Sequence, residues 1–141
     1  MLGGVEIPHE KGSLGHSDGD ALLHALCDAI LGAIGAGDIG RHFPDNDPKY
    51  KDVASVLLLQ HVVGLLDRQG FITHNIDCTI VLEQPKLMVY TNAMIANIAG
   101  VLRVPAEMVS IKVKTNEGMG FVGRGEGVAA FAVVTVKEKG A

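Results

Sequence analysis

A chain of 141 residues, 48% hydrophobic and 20% charged, can bury a sizeable core and falls within the range of soluble globular proteins. Its net charge of -4 excludes the broad basic surface that general nucleic-acid binding needs, though not a local anion site. Aromatics are 4% and Trp is absent, so the core is expected from Ala, Val, Ile and Leu.

In chain order, residues 3–8 read as a short strand or hairpin arm, with Val5 and Ile7 alternating against polar neighbours and Pro8 stopping the ladder. Glu6, His9, Glu10 and Lys11 interrupt any leader-like apolar run, and no stretch is apolar enough to span a bilayer. The first helix is expected over about residues 18–36, capped by Ser17 or Asp18, with Leu22, Leu23, Leu26, Ile30 and Ile34 as its apolar stripe. Residues 37–48, rich in Gly, Pro and Asp, are expected to lack regular structure; a loop this long in a compact domain is usually functional. A second helix is expected over about residues 53–69, with Val56, Leu57, Leu59, Val63 and Leu66 inward. A strand follows over 71–83, showing Ile76, Cys78, Ile80 and Leu82 on one side.

A third helix covers about 87–102, and Pro105 opens a short helical turn. Residues 109–115 and 128–136 read as strands, expected to pair as a hairpin across a Gly-rich loop, 116–127. This order implies an α+β (α/β) two-layer sandwich in a single domain over 1–141, with about four main strands and helices on one face. Cys27 and Cys78 lack metal-type spacing and read as buried, reduced thiols, which fits a cytosolic compartment.

Four segments can carry chemistry. Asp20, His24 and Asp28 are spaced by four, so they share one helix face, either as a metal site or as a solvated polar stripe. His16 and Ser17 stand where helix N–H groups attract anions. The loop from Asp38 to Asp47 can bind a polyol or a cation, or be an ordinary capped turn. Residues 115–127 place five glycines among Thr115, Glu117 and Arg124, a composition suited to phosphates or to a wide hairpin. No Walker ending is present. Glu83-Gln84-Pro85-Lys86 marks a strand-to-helix junction whose backbone can read a base and whose Lys86 can meet a phosphate, or which is an ordinary turn.

Together, His16-Ser17-Asp18-Gly19-Asp20 with His24, Gly37-Asp38-Ile39-Gly40 with Phe43-Pro44-Asp45, Pro85-Lys86, and Thr115-Asn116-Glu117 with Gly123-Arg124-Gly125-Glu126-Gly127 resemble the signature of the 2-C-methyl-D-erythritol 2,4-cyclodiphosphate synthase family. The resemblance covers essentially the whole chain. It implies a lyase of non-mevalonate isoprenoid biosynthesis, located in bacterial cytoplasm or, after processing, plastid stroma. The substrate's 2-phosphate attacks the β-phosphorus of its own cytidine diphosphate ester, giving the cyclodiphosphate and CMP. It also implies a zinc-type ion, a second ion (Mg or Mn), and a homotrimer with sites between subunits and a cavity for an isoprenoid diphosphate. The closing strand, apolar on both faces, fits a sheet buried between subunits and fits a monomer core equally.

By the same resemblance His24 ligates metal, and His16 and Thr115 hold transition-state charge. Ser17 supports a phosphate. Asp38, Ile39 and Gly40, with Phe43, Pro44, Asp45, Asn46 and Asp47, line the methylerythritol pocket. Leu82, Glu83, Gln84, Pro85, Lys86, Leu87 and Met88 surround cytosine, largely through backbone. Lys114, Thr115, Asn116 and Glu117 serve the phosphates, with Glu117 toward the second cation. Phe121 and Arg124 lie near the trimer axis and the site, and Glu126 pairs with Arg124. The family opens on a strand bearing an Asp-x-His metal pair, and no Asp-x-His occurs from Met1 onward. The expectation is therefore an N-terminally incomplete domain whose zinc site has His24 alone. A non-catalytic relative that binds cytidine nucleotides or isoprenoid diphosphates is the alternative.

Overall fold

The structure is a computed structural model that describes residues 1–8, 19–44, 47–50 and 53–140. Of the sequence-derived site residues, His16, Ser17, Asp45 and Asn46 lie outside the described residues, as do the helix-cap candidates Ser17 and Asp18.

The elements are helices α1 (Ala21–Ala33), α2 (Ile39–His42), α3 (Ser55–Arg68), α4 (Thr91–Leu102) and α5 (Gly120–Gly123), with strands β1 (Phe71–Val81), β2 (Val109–Lys114) and β3 (Ala129–Glu138). Helix α1 forms because its leucines and isoleucines recur at helical spacing; Leu22, Leu23, Leu26, Cys27, Ile30 and Leu31 are buried against β3 and α3. Each large side chain hidden there contributes roughly 2 kcal/mol of hydrophobic stabilisation before entropy is counted. Helix α3 turns Leu58, Leu59, Val62, Val63 and Leu66 inward, and α4 adds Met94, Ile98, Ala99 and Leu102. This is the aliphatic core that the composition implies.

The sheet has strand order β2-β1-β3. β1 pairs parallel with β2 and antiparallel with β3. Ile76, Cys78 and Ile80 all face the helices and are 0% exposed. A bulge between Thr73 and Ile76 inserts one residue opposite β3, so both residues stay on the core side despite their odd separation. On the other face Phe131 and Val133 are 60% and 67% exposed.

The structure corrects several expectations. β2 and β3 are not a hairpin, because β1 lies between them. Parallel pairing of β1 with β2 became available once the chain crossed back through α4. The described sheet has three strands, not about four: residues 3–8 form no strand, and Leu2 and Val5 close a tight turn as an isolated bridge. Helix α1 starts at Ala21 with Asp20 as its cap, and Ala33 is its last residue, short of Ala36. Residues 37–48, expected to be irregular, contain helical turn α2, since the Asp38 carboxylate caps it by accepting from Arg41 N–H. The Gly-rich loop likewise contains turn α5.

Candidate active site at the ends of two parallel strands

Parallel pairing gives β1 and β2 a common carboxyl end. Val81 faces Lys114 in register, and Leu82 N–H donates to the Lys114 carbonyl at 2.9 Å. The chain therefore leaves the sheet as two neighbouring loops, residues 82–88 and 115–119. Crevices outside the carboxyl ends of parallel strands are where α/β sheets commonly bind ligands. Lys86, Lys114, Thr115 and Glu117 are all exposed here, so two cationic side chains and a hydroxyl stand around one edge.

Glu83 ties the loops together. Its Oε2 accepts from Asn116 N–H at 2.8 Å and its Oε1 from Gly118 N–H at 2.9 Å. Those two bonds, and then the Lys86 charge, hold the Glu83 carboxyl below its ordinary value. The turn they clamp has Glu117 at φ 50° and Gly118 at φ 78°, both left-handed. Asn116 adds a side-chain bond from Nδ2 to the Met119 carbonyl at 2.8 Å. Gly123 of α5 packs against this turn so closely that a Cβ there would stand 2.1 Å from the Gly118 carbonyl carbon. Arg124 directs its fork at Glu126, Nε to Oε1 at 2.9 Å and Nη2 to Oε2 at 3.3 Å, the expected pairing. Phe121 is 53% exposed beside it in α5.

Of the remaining sequence-derived residues, His24 lies on α1, Ile39 and Gly40 on α2, and Asp38, Phe43, Pro44 and Asp47 in the segments that flank α2. His24 Nε2 lies 2.9 Å from Ser55 Oγ of α3. Asp28 Oδ1 accepts from Ile39 N–H at 2.8 Å and holds α2 against α1. His42 Nε2 meets the Ala36 carbonyl at 2.8 Å, and buried Phe43 packs edge-on to the His61 ring with centroids 5.1 Å apart. The proposed stripe Asp20, His24, Asp28 is thus split three ways. Asp20 is 0% exposed and serves α1 as its cap, so it does not share a solvated face with the other two. Both thiols are buried: Cys27 is pushed up to about 12 by burial and then by the Asp28 and Asp20 charges, and Cys78 to about 12 by burial and then by Asp77.

Sequence reasoning missed Ser55, which meets His24 from 31 residues away and has no local signal. It also placed Glu83 only among residues near a base, whereas the side chain works on the phosphate-type loop. Among the described residues no helix is long and apolar enough to cross a membrane.

Residues 1–137 match the family model described as the YgbB family. A curated relative from Syntrophus aciditrophicus (strain SB), named 2-C-methyl-D-erythritol 2,4-cyclodiphosphate synthase, is 59% identical over 138 residues, covering 98% of this chain and 87% of that protein. A protein of the same name from Bacillus subtilis (strain 168) is 51% identical over 138 residues, again 98% of this chain and 87% of its own length. A solved 2C-methyl-D-erythritol-2,4-cyclodiphosphate synthase in a CDP-bound form superposes with a TM-score of 0.88 at 35% identity, covering 97% of this chain and 89% of that one.

Proposed function

The chain belongs to the YgbB family and carries that family's synthase activity in isoprenoid-precursor synthesis, and we propose how its residues divide that work. The observation that supports the division is the shared carboxyl end of β1 and β2: Lys114 closes β2 there, and Lys86 and Thr115 lie exposed on the two loops that leave it.

In the reaction an oxygen of the 2-phosphate forms a bond to the β-phosphorus, and the bond from that phosphorus to the α-phosphate bridge breaks, releasing CMP. The obstacle is electrostatic. Two unit charges brought to 4 Å repel by about 4 kcal/mol at an effective dielectric of 20, and both reacting groups are anions. Lys86 and Lys114 lower this repulsion from either loop. The Thr115 hydroxyl, with His16, donates toward charge that grows at the transferring phosphoryl group. Ser17 supports a phosphate. Residues 82–88 hold cytosine; that a relative was solved with CDP bound supports a cytidine nucleotide site, not its position. Asp38, Ile39 and Gly40, with Phe43 to Asp47, hold the methylerythritol, and the Asp28 bond to Ile39 N–H ties α2 to α1.

A divalent cation belongs to this reading, zinc at His24 and Mg or Mn at Glu117. Catalytic zinc takes three protein donors. Among the described residues no three His, Cys, Asp or Glu come together to hold a metal ion, and one nitrogen of His24 is engaged by Ser55. The described residues do not by themselves fit that centre.

The exposed apolar side chains Phe131 and Val133 on the uncovered sheet face support assembly of three copies around that face. Sites between subunits would then join the strand-end loops of one copy to the helical residues of the next, with Phe121 and Arg124 toward a central cavity that accepts an isoprenoid diphosphate. Incubating the chain with its cytidine diphosphate ester substrate and Mg, followed by phosphorus NMR, should show equimolar CMP and cyclodiphosphate. Nucleotide binding without CMP release would favour the non-catalytic reading.

A further inference from the structure

Two backbone N–H groups converging on one anion are the arrangement by which a turn ordinarily captures a phosphate oxygen. The turn at 116–118 has that arrangement, and its left-handed Glu117 and Gly118 aim the Asn116 and Gly118 N–H groups the same way. The anion they meet is not a ligand but the chain's own Glu83, 33 and 35 residues upstream. A left-handed backbone is one that a residue with a Cβ, such as Glu117, adopts only when something holds it there. Around the clamp, the Leu82 bond to Lys114, the Asn116 bond to Met119 and the Gly123 contact on Gly118 close the turn from its other sides.

We propose that Glu83 is a positioning residue: its carboxylate fills the backbone nest of the 116–118 turn in place of a phosphate, and so presets Thr115 and Glu117 before substrate arrives. The inference rests on the reading that Thr115 and Glu117 serve the substrate's phosphates. It adds that the nest amides are not among the phosphate's partners, which leaves that anion to side chains. Because Glu83 belongs to the 82–88 loop, one side chain ties the base-holding loop to the phosphate-holding loop.

The test compares the full chain with Glu83→Ala and Glu83→Gln. CMP release is measured with Mg, CDP affinity by calorimetry, and amide hydrogen exchange at Asn116 and Gly118. The expected result is a kcat lower by about a hundredfold in E83A and about tenfold in E83Q, with KM and CDP affinity within about threefold of the parent. The two amides should exchange at least about tenfold faster in E83A. A kcat in E83A within about threefold of the parent overturns positioning. Tighter CDP binding in E83A also overturns it, because Glu83 would then be occupying the phosphate's own place. Unchanged amide exchange overturns the clamp. That last arm needs no turnover, so a parent chain that released no CMP would sink the functional reading while exchange still decided the clamp.

Discussion

Asp20 and Glu83 do the same thing in two regions of the molecule, and the difference between them is burial. Each carboxylate reaches along the fold to hold the amides of a glycine-bearing turn. Asp20 accepts from Gly3 N–H at 2.9 Å, Gly4 N–H at 2.8 Å and Leu23 N–H at 3.0 Å, and is 0% exposed. Glu83 accepts from Asn116 and Gly118 at an exposed edge. A buried carboxylate has given up its hydration, so its N–H partners and the positive end of α1 must replace water entirely. Glu83 is only half-buried, so water can take its place, and its loss leaves the fold standing and frees only the turn. The first region uses a carboxylate to hold the fold together, the second to hold a geometry.

Breaking the buried clamp is the largest expected effect. Asp20→Ala leaves buried amides without an acceptor and uncaps α1, and should lower unfolding free energy by about 3–5 kcal/mol in urea titration. A loss under about 1 kcal/mol would erase the contrast with Glu83. Next comes Gly123→Ala, which pushes a methyl into the Gly118 backbone. Overpacking of this kind should cost about 2 kcal/mol and, by moving the clamped turn, reduce CMP release about tenfold.

A smaller effect sharpens the exposed side through pH. The Glu83 carboxyl is lowered from its ordinary 4.5, so its contribution is complete above that value and fades as pH falls through the still lower folded value. Protection factors of the Asn116 and Gly118 amides should therefore hold at pH 5 and fall only once pH drops below 4.5, and in E83Q they should be pH-independent. Early loss, near pH 6, would mean another group controls the turn. The smallest expected effect is none at all. Cys27 and Cys78, pushed up to about 12 by burial, should resist a disulfide reagent at pH 8 until denaturant opens the fold. Prompt labelling of the native chain would show that the core beside Asp20 opens more readily than its packing indicates.

Much of the frame was legible in the residue order. The stripe of α1 and the alternation of Ile76, Cys78 and Ile80 place themselves, because burial on a helix or strand follows a period of a few residues, whereas in α3 Leu58 and Val62 turn inward and Leu57, expected inward, is 55% exposed. The site motifs were legible as a set. Their partners were not: Ser55 for His24 and the Glu83–Asn116 bond join positions that no periodicity connects. The β2 and β3 pairing misled for a related reason. Adjacent strands across a Gly-rich loop favour a hairpin locally, yet β1 offers two edges and the crossing helix α4 let each strand take one.

By itself, then, the sequence determined the three long helices, the central strand and the aliphatic core, which depend on neighbours within a turn or two of chain, and the family signature, which depends on motifs read together along the chain. The tertiary structure alone decided where the carboxylates went. Asp20 became a buried cap, Asp28 a brace for α2 and Glu83 a clamp on the 116–118 turn. A carboxylate takes whichever N–H groups packing brings to it, and packing joins residues whose distance along the chain carries no signal.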